Sequence, residues 1–317
     1  MITWILLIIL GFILLVKGAD LLVDGASNIA KKFHIPEIII GLTIVSIGTS
    51  LPELIVSTTS AIDGYSDLAV GNIVGSNIAN LLLILGLSAI IKAVSFKRET
   101  RLIEIPICLA LSIVFIILAN VGQDITRIDA LVLVALFIAF IIYTIVMAVK
   151  GEKFEKEEKE VEKPENNQST IKNIIFIILG IVLLKFGGDL TVDNAVNVAK
   201  FFNLSEKLIA VTILAVGTSL PELVTSVSAA IKGKSDIAIG NILGSNIFNI
   251  LLIIGTTALI KPIVYNVSYN IDMIFVLFGT LILALFPIIP PKNKMTRGNG
   301  IVYVALYIVY LIMLFVK

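Results

Sequence analysis

Charge is what this sequence has least of. Of its 317 residues only 15% are Asp, Glu, Lys or Arg, against about 25% in a soluble globular domain. There is one cysteine, Cys108, and one histidine, His34. A lone cysteine excludes an intrachain disulfide and a cysteine metal cluster. Cys108 lies in an apolar run and reads as a small packed residue. A lone histidine in a short loop leaves no basis for histidine catalysis or a zinc centre. The net charge of +1 carries no electrostatic footprint for nucleic acid. Too few charges to cover a water-facing surface means that the solvent is mostly lipid.

What is abundant is apolar: 58% of the residues are hydrophobic and mean hydropathy is +1.05. A helix crosses a bilayer with about 20 apolar residues. Ten such runs recur, near 2–31, 36–62, 66–91, 102–121, 127–149, 171–200, 206–231, 235–260, 269–289 and 299–316. They are continuous in Leu, Ile, Val and Ala, not alternating as barrel strands are, so the chain reads as an all-α polytopic membrane protein. Trp4, Tyr303, Tyr307 and Tyr310 are expected at the membrane interface or against lipid.

The chain is one unit written twice. Residues 11–94 align with 180–263 at a constant offset of 169, which is the signature of an internal repeat. GTSLPEL at 48–54 returns at 217–223, and GNIVGSNIAN at 71–80 returns as GNILGSNIFN at 240–249. The first run has its counterpart in the sixth, so it is expected in the mature fold and not as a signal peptide. Five spans per unit is an odd number, so the second unit enters from the opposite side and the repeats are inverted. The expected division is a first repeat over 1–149, a linker over 150–170 and a second repeat over 171–317. The linker, EKFEKEEKEVEKPENNQS at its centre, reads as a solvated, flexible connection. With the N-terminus outside, Lys31, Lys32, Lys92, Lys97, Arg98, Arg101, Lys172, Lys232, Lys234, Lys292, Lys294, Arg297 and the linker lysines fall inside. Only Arg127, Lys200, Lys207, Lys261 and Lys317 fall outside. Both termini outside and a cytoplasmic linker follow from that bias.

Each copy places a carboxylate in mid-membrane, Glu53 and Glu222. On a lenient insertion scale even Asp costs about 2.5–3.5 kcal/mol there, and such residues mark function. Thr49 and Ser50 precede Glu53 by four and three residues, which puts their hydroxyls on its helical face. Thr218 and Ser219 do the same for Glu222. Pro52 and Pro221 lack an N–H, so the helix is expected to break beside Gly48 and Gly217. Backbone carbonyls near Ser46, Gly48, Ala215 and Gly217 are then expected to face an inner cavity, the only place where free backbone is tolerated at that depth. On the following helix Asn72, Ser76 and Asn80 recur every fourth residue, as do Asn241, Ser245 and Asn249. Gly71, Gly75, Gly240 and Gly244 are expected to let helices approach closely. The candidate ligands are all oxygen, which suits hard cations, and two carboxylates balance one Ca²⁺. Elsewhere, Lys17 with Asp20 and Lys185 with Asp189 are spaced to pair along one helix.

GTSLPE followed by GNxxGSNIxN, in two inverted copies, resembles the repeats of Na⁺/Ca²⁺ exchangers in the cation/Ca²⁺ antiporter superfamily. The likeness covers nearly the whole chain. It implies a ten-helix fold with ion sites between the second, third, seventh and eighth helices. Glu53 and Glu222 would be shared by Ca²⁺ and Na⁺. Thr49, Ser50, Ser76, Thr218, Ser219 and Ser245 would add oxygens, with the carbonyls of Ser46 and Ala215. The first and sixth helices would slide across the other eight. An exchange of about three Na⁺ per Ca²⁺, as the likeness implies, moves one net charge, worth about 2.3 kcal/mol per 100 mV. The K⁺-dependent branch has Asp at the position of Asn249. Asn at both 80 and 249 argues against K⁺ cotransport. The short linker resembles that of prokaryotic members, so the expected location is the cell membrane. The resemblance implies transported Ca²⁺ and Na⁺, no cofactor and no obligate protein partner. H⁺-coupled exchange of Ca²⁺ or another divalent cation stays open as the alternative. A cation channel is a further rival, and two glutamates without His, Cys or Asp partners offer little to an enzyme.

Overall fold

The computed structural model describes residues 1–158, 169–202, 215–290 and 292–316. Its helices are α1 (Ile2–Lys32), α2 (Glu37–Thr49), α3 (Leu51–Ile62), α4 (Ser66–Ile91), α5 (Thr100–Asn120), α6 (Arg127–Glu158), α7 (Thr170–Phe201), α8 (Ala215–Gly217), α9 (Leu220–Ile231), α10 (Ser235–Ile260), α11 (Tyr269–Leu285) and α12 (Arg297–Val316). Seven of them are long and apolar enough to span a bilayer alone. The bent pair α2–α3 makes an eighth, and α9 and α11 are shorter apolar helices. The protein is therefore an all-α, multi-pass membrane protein. The first part of the run expected over 206–231 lies outside the described residues up to 214. The linker is shorter than its composition suggests, because α6 continues through Glu158. Its Glu/Lys-rich continuation is made of good helix formers. The flexible stretch expected at 159–168 lies outside the described residues.

Burial separates centre from periphery. In their most apolar windows α4 is 78% buried and α10 94%, whereas α6 is 17%. Helices buried all round carry the site, and those with apolar flanks exposed are the lipid-facing ones. Two apolar clusters form. The larger packs α4, α5, α6, α10, α11 and α12 around residues such as Phe115, Phe248 and Tyr303. The smaller binds α1 and α7 to α2 and α9 through Leu15, Leu22, Leu184, Val45 and Ala229.

Close approach depends on absent side chains. A Cβ on Gly18 of α1 would stand 2.8 Å from the Gly180 carbonyl of α7, and one on Gly180 would stand 2.8 Å from the Gly18 carbonyl. The two long helices thus touch backbone to backbone, as small residues permit in lipid. Gly240 does the same where α10 crosses α2, since its Cβ would lie 2.7 Å from the Ile38 carbonyl. Gly71 and Gly244 are also tightly faced, but Gly75 has no described atom within 4 Å of that position.

Three features depart from the expectations. Two short antiparallel strand pairs tie the loops: β1 (Val94–Ser95) with β4 (Lys294–Met295), and β2 (Asp124–Ile125) with β3 (Ile263–Val264). Tyr303, Tyr307 and Tyr310 are buried at 0%, 6% and 6% exposure, not at the lipid boundary. Tyr303 donates to the Gly279 carbonyl at 2.6 Å, so the neighbouring helix satisfies its hydroxyl and lets the ring into the core. Lys185 pairs with Asp189 at 2.6 Å as expected. Asp20 instead reaches across to Lys232 at 3.0 Å, which also holds Asp24 at 2.7 Å.

Candidate cation site

The site begins with a covalent fact, the missing N–H of two prolines. α2 stops at Thr49 and α3 starts at Leu51, with the axes bent by 49°. Ser50 sits between them with φ −86° and ψ 9°. Ser219 repeats that conformation, φ −89° and ψ 8°, before α9. Pro52 and Pro221 occupy the first turn of α3 and α9, where no N–H is needed. The break therefore costs the new helix nothing and places Glu53 and Glu222 in first turns, where the helix dipole favours a carboxylate. The Ser46 carbonyl, expected to turn free, accepts the Ser50 N–H at 3.0 Å and the Thr49 hydroxyl at 3.3 Å. The last turn of α2 stays closed, and the carbonyl deprived of its donor by proline is that of Gly48. Ala215 opens the short α8, which leads to the second break.

The break also redirects the hydroxyls. Thr49 and Ser50 do not serve Glu53 of their own repeat; they cross to the other one. Ser50 Oγ donates to Glu222 Oε1 at 2.9 Å and stands 3.0 Å from Ser245 Oγ. Ser219 Oγ donates to Glu53 Oε1 at 3.4 Å and stands 3.3 Å from Ser76 Oγ. Ser76 itself lies 3.5 Å from Glu53 Oε1. Thr49 donates to Asn241 Oδ1 at 3.0 Å, and Thr218 to Asn72 Oδ1 at 3.3 Å. Every one of these contacts has its counterpart at an offset of 169, Ser245 bonding Glu222 as Ser76 bonds Glu53. The two carboxylates are thus bound into one centre that neither repeat builds alone.

Asn72 and Asn241 brace this centre. Their Nδ2 groups donate to Ser57 Oγ at 3.0 Å and Ser226 Oγ at 2.9 Å. Each also lies 3.5 Å from the backbone carbonyl of its own repeat's glutamate. Both ends of each amide are engaged with protein. Asn80 and Asn249 sit further along in π-helical turns, Ala79–Ile84 and Asn249–Ile254, a local widening common at functional sites. They touch neither glutamate through a hydrogen bond among the described residues. Asn80 Nδ2 donates to Asn246 Oδ1 at 3.1 Å, and Asn249 Nδ2 to Asn77 Oδ1 at 2.9 Å. Ser57, Ser226, Asn77 and Asn246 were not singled out from the sequence. The signal for the asparagines was present, since GSN stands in both copies of the motif; for the serines the only cue was one helical turn from each glutamate.

Among the described residues, four oxygens of the two glutamates and of Asn80 and Asn249 are enclosed without a hydrogen-bond partner, Glu53 Oε2, Glu222 Oε2, Asn80 Oδ1 and Asn249 Oδ1, beside one enclosed donor, Asn77 Nδ2. A buried acceptor left unmade costs roughly 1–3 kcal/mol, more when charged. Both carboxylates are 0% exposed, and the ion pairs found elsewhere do not reach them. Among the described residues no third acidic, histidine or cysteine side chain joins them. Enclosed acceptors of net negative charge, framed by hydroxyls and with no soft ligand, suit a hard cation.

Comparison with known proteins agrees with this chemistry. The profile of a family described as sodium/calcium exchanger protein matches residues 3–146 and 172–316. The sodium/calcium exchanger MaX1 of Methanosarcina acetivorans is 34% identical over 344 aligned residues, covering 98% of each chain. The inner membrane protein YrbG of Escherichia coli (strain K12) is 36% identical, covering 98% of this chain and 96% of its own. A solved structure of the sodium-calcium exchanger NCX_Mj, soaked with Na⁺ and Sr²⁺, superposes with a TM-score of 0.84 at 32% identity over 97% of each chain. With the profile match spanning both repeats and full-length relatives at this identity, the chain belongs to the sodium/calcium exchanger protein family.

Proposed function

We infer that the protein exchanges Na⁺ for Ca²⁺ across the cell membrane by alternating access, electrogenically. The observation that carries the reading is the pair of fully buried glutamates, one from each repeat, each hydroxyl-bonded across the repeat boundary and each keeping an unpartnered oxygen. Glu53 and Glu222 hold Ca²⁺ or Na⁺ in turn. Ser50, Ser76, Ser219 and Ser245 line the site, with Thr49, Thr218 and the backbone at Ala215 at its edges. Asn80 and Asn249 supply neutral oxygens, and Asn72 and Asn241 brace the frame. Two carboxylates cannot balance Ca²⁺ and several Na⁺ at once, so occupancy is exclusive and the cycle is exchange.

The architecture that fits is ten spans in two inverted five-helix repeats, over 1–149 and 171–317, joined by a cytoplasmic linker, with both termini outside. The strand pairs support it. β1 and β4 lie in loops expected inside, and β2 and β3 in loops expected outside, so each pair joins loops on one side. Relatives named for sodium/calcium exchange support Na⁺ as the coupling ion. Asn at 80 and 249 leaves no extra carboxylate for K⁺.

The test is ⁴⁵Ca²⁺ uptake into proteoliposomes preloaded with Na⁺, against K⁺- and choline-loaded controls at matched pH. Uptake that requires the outward Na⁺ gradient and is accelerated by an inside-positive potential supports the reading, because net positive charge then leaves with Na⁺. Uptake that follows a proton gradient without Na⁺ overturns the coupling assignment.

A further inference from the structure

Four asparagines, Asn77, Asn80, Asn246 and Asn249, meet where α4 and α10 cross, and all four are 0% exposed. An amide is asymmetric: one end only donates and the other only accepts. Which end of Asn80 and Asn249 faces inward therefore decides whether they offer a cation an oxygen or repel it with an NH₂ group. The contacts determine that choice for Asn80. Asn246 Nδ2 donates to the backbone carbonyl of Asn77 at 3.2 Å. A backbone carbonyl accepts only, so Asn246 has one permitted orientation, with Oδ1 turned to Asn80. Asn80 must answer with its Nδ2, at 3.1 Å. Its Oδ1 is then left enclosed and unpartnered, in a segment of α4 packed against α9, the helix of Glu222. The other repeat lacks this lock: Asn249 Nδ2 meets Asn77 Oδ1 at 2.9 Å, but Asn77 Nδ2 has no partner among the described residues, so no acceptor-only group fixes the polarity of that pair.

We propose that Asn246 is a positioning residue that locks the Asn80 amide with its oxygen toward the transported cation. Asn246 does not act as a ligand through its own side chain. It spends its Oδ1 on the Asn80 NH₂ group, and by this relay through the other repeat the backbone carbonyl of Asn77 fixes the polarity of Asn80, three residues further along α4. Partners that orient a ligand in this way typically change affinity 10- to 100-fold when removed. The proposal rests on reading the centre as a Ca²⁺ site.

A double-mutant cycle separates orientation from packing. The variants are Asn246→Leu, Asn80→Asp and the pair together. Two readouts are taken: Ca²⁺-dependent thermal stabilisation of the purified protein, and Na⁺-driven ⁴⁵Ca²⁺ uptake. Asn246→Leu is expected to raise the half-saturating Ca²⁺ concentration about tenfold or more, with little change in maximal rate. An Asp at 80 presents oxygen whichever way it turns, so in that background Asn246→Leu is expected to cost nothing. Equal penalties in the two backgrounds mean that Asn246 only packs, and the proposal falls. If Asn246→Leu fails to fold, Asn246→Ser, too short to reach Asn80, runs the same cycle. Ca²⁺ stabilisation that follows the cycle without Na⁺-driven uptake sinks the Na⁺/Ca²⁺ exchange reading and keeps the positioning role. A wild-type protein that Ca²⁺ does not stabilise overturns both.

Discussion

The centre of this molecule and its two ends obey different rules. At the centre the contacts come in reciprocal pairs: Ser50 to Glu222 and Ser219 to Glu53, Thr49 to Asn241 and Thr218 to Asn72. Towards the ends the reciprocity stops. Asn241 and Thr49 are fully buried, whereas Asn72 and Thr218 are half-buried. At one end Lys232 clamps Asp20 and Asp24 of α1 to the end of α9, and Lys234 pairs with Glu37 at 2.9 Å, which in turn accepts from Ser27 at 2.6 Å. At the positions equivalent to Lys232 and Lys234 the first repeat has Asp63 and Tyr65. A twofold centre with an unequal clamp teaches that the hydrogen-bond frame around the glutamates is shared by both halves, whereas the ion pairs that tie α1 to α9 belong to one end alone.

The strongest blow to the central symmetry is to remove one of its charges. Glu53→Gln or Glu222→Gln should cut Ca²⁺ uptake by on the order of 100-fold or more, beyond the loss from a supporting partner alone. Both variants should still fold and insert, since the buried charge that is lost had no ion pair to lose. Near-normal flux in either would refute the site. Next comes the seam between the long helices. Gly18→Leu drives a side chain into the Gly180 carbonyl and should destabilise by about 1–3 kcal/mol as overpacking does, read as a lower unfolding temperature in detergent.

The reciprocal contacts are not equally short, which gives a finer test. Ser50 makes its two contacts at 2.9 and 3.0 Å, and Ser219 makes the equivalent ones at 3.4 and 3.3 Å. Ser50→Ala should therefore raise the half-saturating Ca²⁺ concentration by about fivefold, the worth of a hydrogen bond near 1 kcal/mol, and Ser219→Ala by less. Equal effects would show that the centre is symmetric in energy despite these distances. The smallest effect is expected at the clamp, whose ion pairs are partly exposed and worth about 0.2–1 kcal/mol each. Lys232→Ala should speed amide hydrogen exchange at the end of α1 while leaving Ca²⁺ affinity unchanged. A change in affinity without faster exchange would place Lys232 in the site and not in the clamp.

Much of the centre was legible because it is written in covalent chemistry and in repetition. A proline cannot donate an N–H wherever it folds, and a carboxylate in mid-membrane is costly in any packing. Doubling at an offset of 169 then singled out Glu53, Glu222 and the hydroxyls beside them. What the pattern misjudged was direction. Helical spacing assigned Thr49 and Ser50 to Glu53, but the turn at Ser50 hands them to the other repeat. The Ser46 carbonyl stays inside its own last turn. The tyrosines of α12 looked like interface residues until Gly279 supplied a buried acceptor.

The sequence by itself determined the solvent, the repeat, the two breaks and the oxygen-only chemistry of the candidate site. Each follows from composition or from a bond that a residue type cannot make. Only the tertiary structure decided which hydroxyl meets which carboxylate, that Asn80 gives its amide hydrogen to Asn246, and that Asp20 pairs with Lys232 and not with Lys17. Those are contacts between helices far apart in the chain. They depend on how closely glycines such as Gly18 and Gly240 let backbones cross, and no local periodicity encodes that distance.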